Sequence, residues 1–213
     1  MKVSQDKLEA KSQAYGGEIN AWVTQIFGEL QIYQDTIEEG SFVDDAAILK
    51  YMEKSVGKNE AYPVGLYMGD DSCVYLDGLG WVLGDDWVLV EREWYVDGKD
   101  NDTFAFGEPY YDSMTGQVCV SASVHVDYPD AVRVLATDVY LDYVSGLIAE
   151  IAAQKEVEAF LVTGASQTIL AHLNSEMIAV ILGEAQEDTL YGNIGKALSE
   201  GRNGLISAFI MSV

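Results

Sequence analysis

The stretch QVCVSASVHVDYPDAVRVLATDVYL, residues 117–141, carries the clearest fold signal in the chain. Val118, Val120, Ala122, Val124 and Val126 occupy alternate positions in its first half, which predicts a half-buried strand over Gln117–Val126. The second half, from Val132 to Leu141, is more continuously apolar and is typical of a central strand. A short polar segment separates the two halves, so we expect neighbouring antiparallel strands.

Shorter strand-like runs precede this pair, at Pro63–Met68, Cys73–Leu76 and Thr103–Phe106. A helical pattern over Asp44–Val56 comes before them. Consecutive antiparallel strands joined by polar turns, with helices on either side in the sequence, favour one sheet with helices packed on it. The predicted fold class is therefore α+β.

Residues 4 to about 38 predict one long amphipathic helix, with Gly40 as its stop signal. At ~1.5 Å per residue it would span ~50 Å, which favours a helix that runs past the globular body and could pair with a second copy in a homodimer. A plain core helix is the alternative. The apolar stripe consists of Tyr15, Ile19, Trp22, Ile26, Leu30, Tyr33 and Ile37.

The sequence after residue 140 repeats this order of elements on a smaller scale. Residues 141–156 and about 175–200 predict helices, with a hairpin of Val157–Thr163 and Thr168–His172 between them. The last run, Leu205–Val213, resembles a strand with no partner after it. We therefore expect a second, incomplete module.

Charge and composition exclude several functions. The chain has 12 Lys+Arg against 35 Asp+Glu, a net charge of −23, which would repel nucleic acid and anionic lipid. Hydrophobic residues make up 49%, enough for a core and too many for a disordered chain. The sequence contains neither a run of ~18 apolar residues nor a signal peptide, so we expect the chain as given to be soluble.

The chain has few residues suited to metal or nucleophilic chemistry. It contains two cysteines and two histidines, at positions without a zinc-ligand spacing, and no G-x-S-x-G turn. This inventory argues against a Cys/His metal site and against a His-based catalytic triad. We expect no metal, no cofactor and no catalytic residues.

One set of residues suits a zwitterion such as an α-amino acid: Arg92, Trp94, Tyr95, Asp112 and Asp138. Arg binds a carboxylate bidentately, aromatic rings form walls, and carboxylates bind an ammonium group. Asp138 requires an explanation because it lies in an apolar strand, where an unpaired charge is costly. Structural roles are the alternatives: a surface salt bridge for Arg92, a core position for the aromatics, a turn for Asp112 and an internal hydrogen bond for Asp138.

The motifs R-x-W-Y at 92–95, G-E-P-Y-Y-D-x-x-T-G at 107–116 and L-A-x-D-V-x-L at 135–141 resemble the double Cache (dCache) sensor domains of bacterial chemoreceptors, histidine kinases and cyclic-dinucleotide enzymes. The resemblance implies a stalk helix over 1–40, a membrane-distal PAS-like module with antiparallel sheet over 41–154 and a partial membrane-proximal PAS-like module over 155–213. It also implies an extracytoplasmic location in a membrane receptor that has a cytoplasmic output domain.

One subset of that family carries an amino-acid-binding motif. The resemblance implies that Arg92 and Trp94 hold the ligand carboxylate and that Tyr95, Asp112 and Asp138 hold its amino group. Trp87 stands where the family usually has Tyr, and the neighbouring prolines of the family's run are missing. Tyr67 and Tyr110 are further candidates for the pocket wall.

Three other functions remain open from the sequence. The same fold could sense an amine, a purine or a carboxylate, and Arg92 separates an amine from an amino acid because an amine offers it no carboxylate. An extracellular carbohydrate-active enzyme would need a carboxylate pair ~5–9.5 Å apart. A pure oligomerisation module would bind no small molecule.

Overall fold

The computed structural model describes residues 2–40, 42–84, 86–112, 115–128, 131–153, 158–164, 166–186 and 189–201. The predicted strand Leu205–Val213 lies outside the described residues. The chain forms two compact units: a sheet unit, residues 23–141, and a hairpin unit, residues 2–22 with those from 142 onward. The three-part division at residues 40 and 154 stays a prediction.

Helix α1, Lys2–Glu39, confirms the predicted N-terminal helix and ends just before Gly40. Ile26, Leu30 and Ile37 of the apolar stripe are buried in the sheet unit. Ile19 and Trp22 pack in the hairpin unit. None of the helices that the structure describes is long and apolar enough to cross a membrane.

Helix α2, Asp45–Met52, begins where the sequence predicted it. The Asp44 side chain accepts a 2.9 Å hydrogen bond from the Ala47 backbone N–H and so caps the first turn. The predicted continuation to Val56 is a tighter 3₁₀ turn at Glu53–Ser55.

The described residues of the sheet unit form five antiparallel strands in the order β2-β1-β5-β4-β3, and β5 is central as expected. The connection between β2 and β3 carries a short helix, α3, Glu93–Gly98, which the sequence analysis did not predict. The strands are β1 Tyr67–Asp70, β2 Tyr75–Asp77, β3 Ala105–Tyr111, β4 Val118–Tyr128 and β5 Ala131–Tyr140.

The expectation that β4 is half-buried is wrong, because helices cover both faces. The ring of Phe27 in α1 lies 4.7 Å from that of Phe106, which shares a face with Ala122. On the other face, α3 packs so closely that a Cβ on Gly98 would lie 2.9 Å from the Ser123 Cβ. The small side chains of Ser121 and Ser123 are buried on this second face.

The hairpin unit contains α4 Asp142–Ala152, an antiparallel pair β6 Phe160–Val162 and β7 Ile169–His172, and α5 Leu190–Ser199. The predicted helix over 175–200 is wrong in its first half. The Ala179 N–H bonds to the Ile169 carbonyl and the Ile169 N–H bonds to the Val180 carbonyl, so this backbone pairs with β7 instead of forming a helix. Thr189 caps α5 by accepting from Gly192 N–H.

Candidate ligand-binding site

One face of the sheet, here called the pocket face, collects polar and aromatic side chains. Residues directly opposite each other in antiparallel strands point to the same side of a sheet. Ala136 of β5 pairs with Tyr67 of β1 and with Ser123 of β4, so these three side chains lie on one face. Asp77 pairs with Tyr67 and lies on the same face. Asp138 and its partner Ser121 lie there too, because each is two residues from a member of this set.

A β-bulge brings Tyr110 onto the pocket face. The register of β3 against β4 shifts by one residue between Phe106 and Pro109, so that Tyr110 pairs with Cys119. Without the extra residue Tyr110 would pair with Val118, and a slip of one residue turns a side chain to the opposite face.

A cavity of about 470 Å³ opens above this face, within the usual range of about 300–1,000 Å³ for small-molecule sites. Seven of the eight site residues predicted from the sequence line it, and the eighth, Tyr95, does not. The seven are Tyr67, Trp87, Arg92, Trp94, Tyr110, Asp112 and Asp138.

Asp138 lies on the floor of the cavity between two tyrosines. The hydroxyls of Tyr67 and Tyr110 both donate to its Oδ1, at 2.6 Å and 2.5 Å. Within the described residues no hydrogen bond occupies Oδ2. Burial raises the pKa of Asp138; the two hydroxyl donors oppose that rise, and the negative charges of Asp112 and Asp77 add to it. An ammonium group at Oδ2 would offset the free-energy cost of burying the ionised carboxylate.

Arg92 contributes the cavity's positive charge. Its guanidinium carbon lies 4.5 Å from the centre of the Trp87 ring, a cation–π contact that holds the side chain against the wall. Its buried Nε has no hydrogen-bond partner, and Arg92 forms no ion pair with any residue that the structure describes. The alternative of a surface salt bridge is therefore absent from the described structure, and a donor is left for a carboxylate.

Trp94 serves both as a core residue and as a cavity wall. It is 8% exposed and packs edge-on against the Tyr67 ring, with the ring centres 5.0 Å apart. Leu89, Val134 and Ala136 belong to the same buried cluster. The tryptophan thus fixes the position of the tyrosine that donates to Asp138.

Tyr95 is directed away from the cavity. Its hydroxyl donates to the Val132 backbone carbonyl at 3.0 Å, and its ring packs against Trp94 with the centres 5.9 Å apart. In this arrangement Tyr95 supports Trp94, and its direct contact with a ligand stays a prediction.

Asp112 combines a turn with a place in the cavity lining. Its Oδ1 accepts from the Thr115 backbone N–H at 2.6 Å, as in the turn considered from the sequence. The Tyr140 hydroxyl donates to its Oδ2 at 3.2 Å. Burial is the main cause that raises the pKa of Tyr140 to about 12, and the negative charge of Asp112 adds to this rise. The turn thus orients a buried carboxylate at the cavity.

The sequence analysis missed the contribution of β2 and the loop after it. Tyr75 donates to Asp77 Oδ2 at 2.8 Å, and Asp77 Oδ1 accepts from the backbone of the next turn, including Leu79 N–H at 2.8 Å. Alternation along a strand places Tyr75 and Asp77 on one face of β2, but the pairing with β1 that turns this face toward the cavity has no signal in the sequence. The further lining residues missed are Val64, Leu79, Trp81, Glu91, Glu93, Tyr111 and Ser121.

The chemistry of the site is that of binding. A guanidinium with a free donor and a carboxylate with a free oxygen line one cavity with aromatic walls, a combination that suits a zwitterion. The described part of the chain contains no group of three or more His, Cys, Asp or Glu side chains placed to hold a metal ion.

Solved structures share this fold, whereas no family model and no curated protein matches the sequence. The ligand-binding domain of the Pseudomonas fluorescens chemoreceptor CtaA in complex with L-valine is 21% identical, with a TM-score of 0.70 over 87% of this chain and 82% of that one. The domain of the Pseudomonas aeruginosa amino-acid chemoreceptor PctC with GABA gives 0.72 at 19% identity, covering 86% and 82%. The domain of PctB from the same organism, with L-Arg, gives 0.68 at 16%, covering 86% and 77%.

Proposed function

We propose that this chain, which has the fold of the double Cache ligand-binding domains of bacterial chemoreceptors, is an extracytoplasmic sensor domain that binds a small amino acid. The α-carboxylate lies on Arg92 and against Trp94. The α-ammonium lies on Asp138, with Asp112 beside it. The domain has no catalytic activity of its own.

One observation carries the proposal: the same cavity contains Arg92 with an unpartnered buried Nε and Asp138 whose two tyrosine donors both bind Oδ1. A buried polar atom without a partner costs free energy in the empty protein, and a ligand that pairs with it recovers that cost. Opposite charges at the two ends of an α-amino acid match the two groups.

The rest of the proposal concerns the receptor. The domain belongs to a transmembrane signalling protein with a cytoplasmic output domain, and α1 transmits the ligand's binding energy. Residues 1–40, 41–154 and 155–213 act as stalk, membrane-distal module and membrane-proximal module. A homodimer forms through the N-terminal helix. Micromolar affinity would supply roughly 8 kcal/mol, ample to bias a two-state helix arrangement.

A thermal-shift screen of the chain with the twenty L-amino acids tests the proposal. We expect at least one of them to raise the melting temperature. Arg92→Ala should abolish the shift, whereas Lys58→Ala, which removes a cation from an exposed site outside the cavity lining, should leave it unchanged. The absence of stabilisation by any amino acid would contradict the proposed function.

A further inference from the structure

We infer that the amino acid bound by this cavity has a positively charged side chain, as in arginine, and that acidic amino acids are excluded. This inference rests on the proposed function, since it uses the α-carboxylate on Arg92 to orient the ligand. Its basis is the set of carboxylates in the cavity lining that an amino acid with a neutral side chain would not neutralise.

The charges of the cavity lining are strongly unequal. Among the described residues, the lining contains five carboxylates and one guanidinium, that of Arg92. The α-groups of an amino acid cancel one another and occupy Arg92 and Asp138, so a neutral side chain leaves the excess of negative charge unchanged. The five carboxylates belong to Asp77, Glu91, Glu93, Asp112 and Asp138.

Four of these carboxylates have no cation as an ion-pair partner among the described residues: Asp77, Glu91, Glu93 and Asp138. Arg133 of the same sheet unit does pair with carboxylates: its Nη1 lies 2.7 Å from Asp45 Oδ1 and its Nη2 lies 3.4 Å from Asp70 Oδ2. Within the cavity, low-dielectric walls strengthen the field of the charges that have no such partner.

The wall beside Arg92 suits a long aliphatic stem with a charged end. Trp87 packs against Trp81 and Tyr75, with ring centres 5.6 Å and 5.5 Å away. Such rings cover methylene groups and attract a cation at their faces. Glu91 and Glu93 flank Arg92 in the sequence and are exposed, so both lie at the open side of the cavity.

The same field acts against an acidic side chain. A ligand such as L-glutamate would bring a second carboxylate toward five others, and placing like charges together in an interface weakens binding strongly. The net charge of −23 adds to this repulsion at long range.

Isothermal titration of the chain with L-arginine and L-citrulline tests the inference, because citrulline has nearly the same shape and lacks the side-chain charge. We expect arginine to bind at least about tenfold more tightly. L-Glutamate should not bind measurably. The difference in affinity between arginine and citrulline should shrink as the salt concentration is raised from 20 mM to 500 mM, because salt screens partly exposed charges.

The double variant Glu91→Gln/Glu93→Gln should bind arginine more weakly and citrulline as tightly as the wild type, so that the ratio of the two affinities falls. Glu60→Gln, an exposed charge outside the lining, is the matched control and should change neither. Equal or tighter binding of citrulline would overturn this inference and leave the proposed function intact. Binding of agmatine as tight as that of arginine would contradict the carboxylate contact, and therefore the proposed function.

Discussion

Tyr110 of β3 donates its hydroxyl to Asp138 of β5 across the whole width of β4, at 2.5 Å. Ser121, the partner of Asp138 on β4, is small enough for the tyrosine to pass over it. Tyr67 approaches the same oxygen from β1 on the other side. Hydrogen bonds from strands on both sides of β5 thus hold Oδ1 of Asp138, and Oδ2 remains available to the cavity.

Replacing Asp138 with Asn should stabilise the ligand-free protein. The pKa of Asp138 is raised in the folded state, so its ionised form costs stability, and that cost grows as pH rises from the unfolded-state pKa through the folded-state pKa. Asparagine keeps an oxygen for both tyrosines and has no charge. At pH 7 we expect a gain of about 0.5–2 kcal/mol in chemical denaturation, together with loss of amino-acid binding.

Asp102→Asn, which removes an exposed carboxylate, is the control and should leave both quantities unchanged. A less stable Asp138→Asn protein would mean that hydrogen bonds to the charged carboxylate outweigh the cost of its burial.

Amino-acid affinity should fall with acidification, starting above the ordinary pKa of an aspartate. Asp138 must be ionised to hold an ammonium group, and its raised pKa places protonation of the free protein at a higher pH. Tyr110→Phe removes a hydroxyl that lowers this pKa, so its affinity should begin to fall at a still higher pH. Titrations between pH 4 and 8 measure the change.

Tyr111→Phe is the matched control, since this exposed neighbour donates no described hydrogen bond to Asp138. A pH profile identical in the wild type, Tyr111→Phe and Tyr110→Phe would argue against Asp138 as the titrating group.

Trp87→Ala should weaken binding through Arg92. The ring of Trp87 supports the guanidinium at 4.5 Å, and a cation–π contact contributes about 0.5–2 kcal/mol. We expect an affinity loss of about two- to thirtyfold, partly restored in Trp87→Phe. If calorimetry gave equal affinities for Trp87→Ala and the wild type, the ring would have no part in orienting Arg92.

Gly98→Ala should destabilise the sheet unit. A Cβ at this position would lie 2.4 Å from Val134 Cγ1, and overpacking costs about 1–3 kcal/mol. Gly28→Ala, in α1 with nothing within 4 Å of the new Cβ, should instead stabilise by about 0.5–1 kcal/mol. Urea unfolding compares the two variants, and equal effects would show that α3 can move off the sheet freely.

The sequence predicted the elements whose signal is local. The stripe of α1, the helical pattern that starts at Asp44 and the paired strands β4 and β5 each follow from a period in the sequence. The first half of the predicted helix 175–200 is wrong because pairing with β7 overrides its local preference. The helix α3 was missed because six residues carry too little periodicity.

The sequence predicted the site residues that belong to the family motif. It missed those that reach the cavity only through the pairing of strands. Arg92 and Asp138 line one cavity although 46 positions separate them in the sequence. The bulge that turns Tyr110 onto the pocket face leaves no signal in the residue types. Asp77 enters the lining through its register with Tyr67, which depends on tertiary structure.

A crystal structure of the chain with the amino acid that stabilises it most tests the central claim directly. The account predicts the α-carboxylate on the Arg92 guanidinium and the α-ammonium within hydrogen-bonding distance of Asp138 Oδ2. A ligand bound outside this cavity, or bound in it with its carboxylate away from Arg92, would contradict the account.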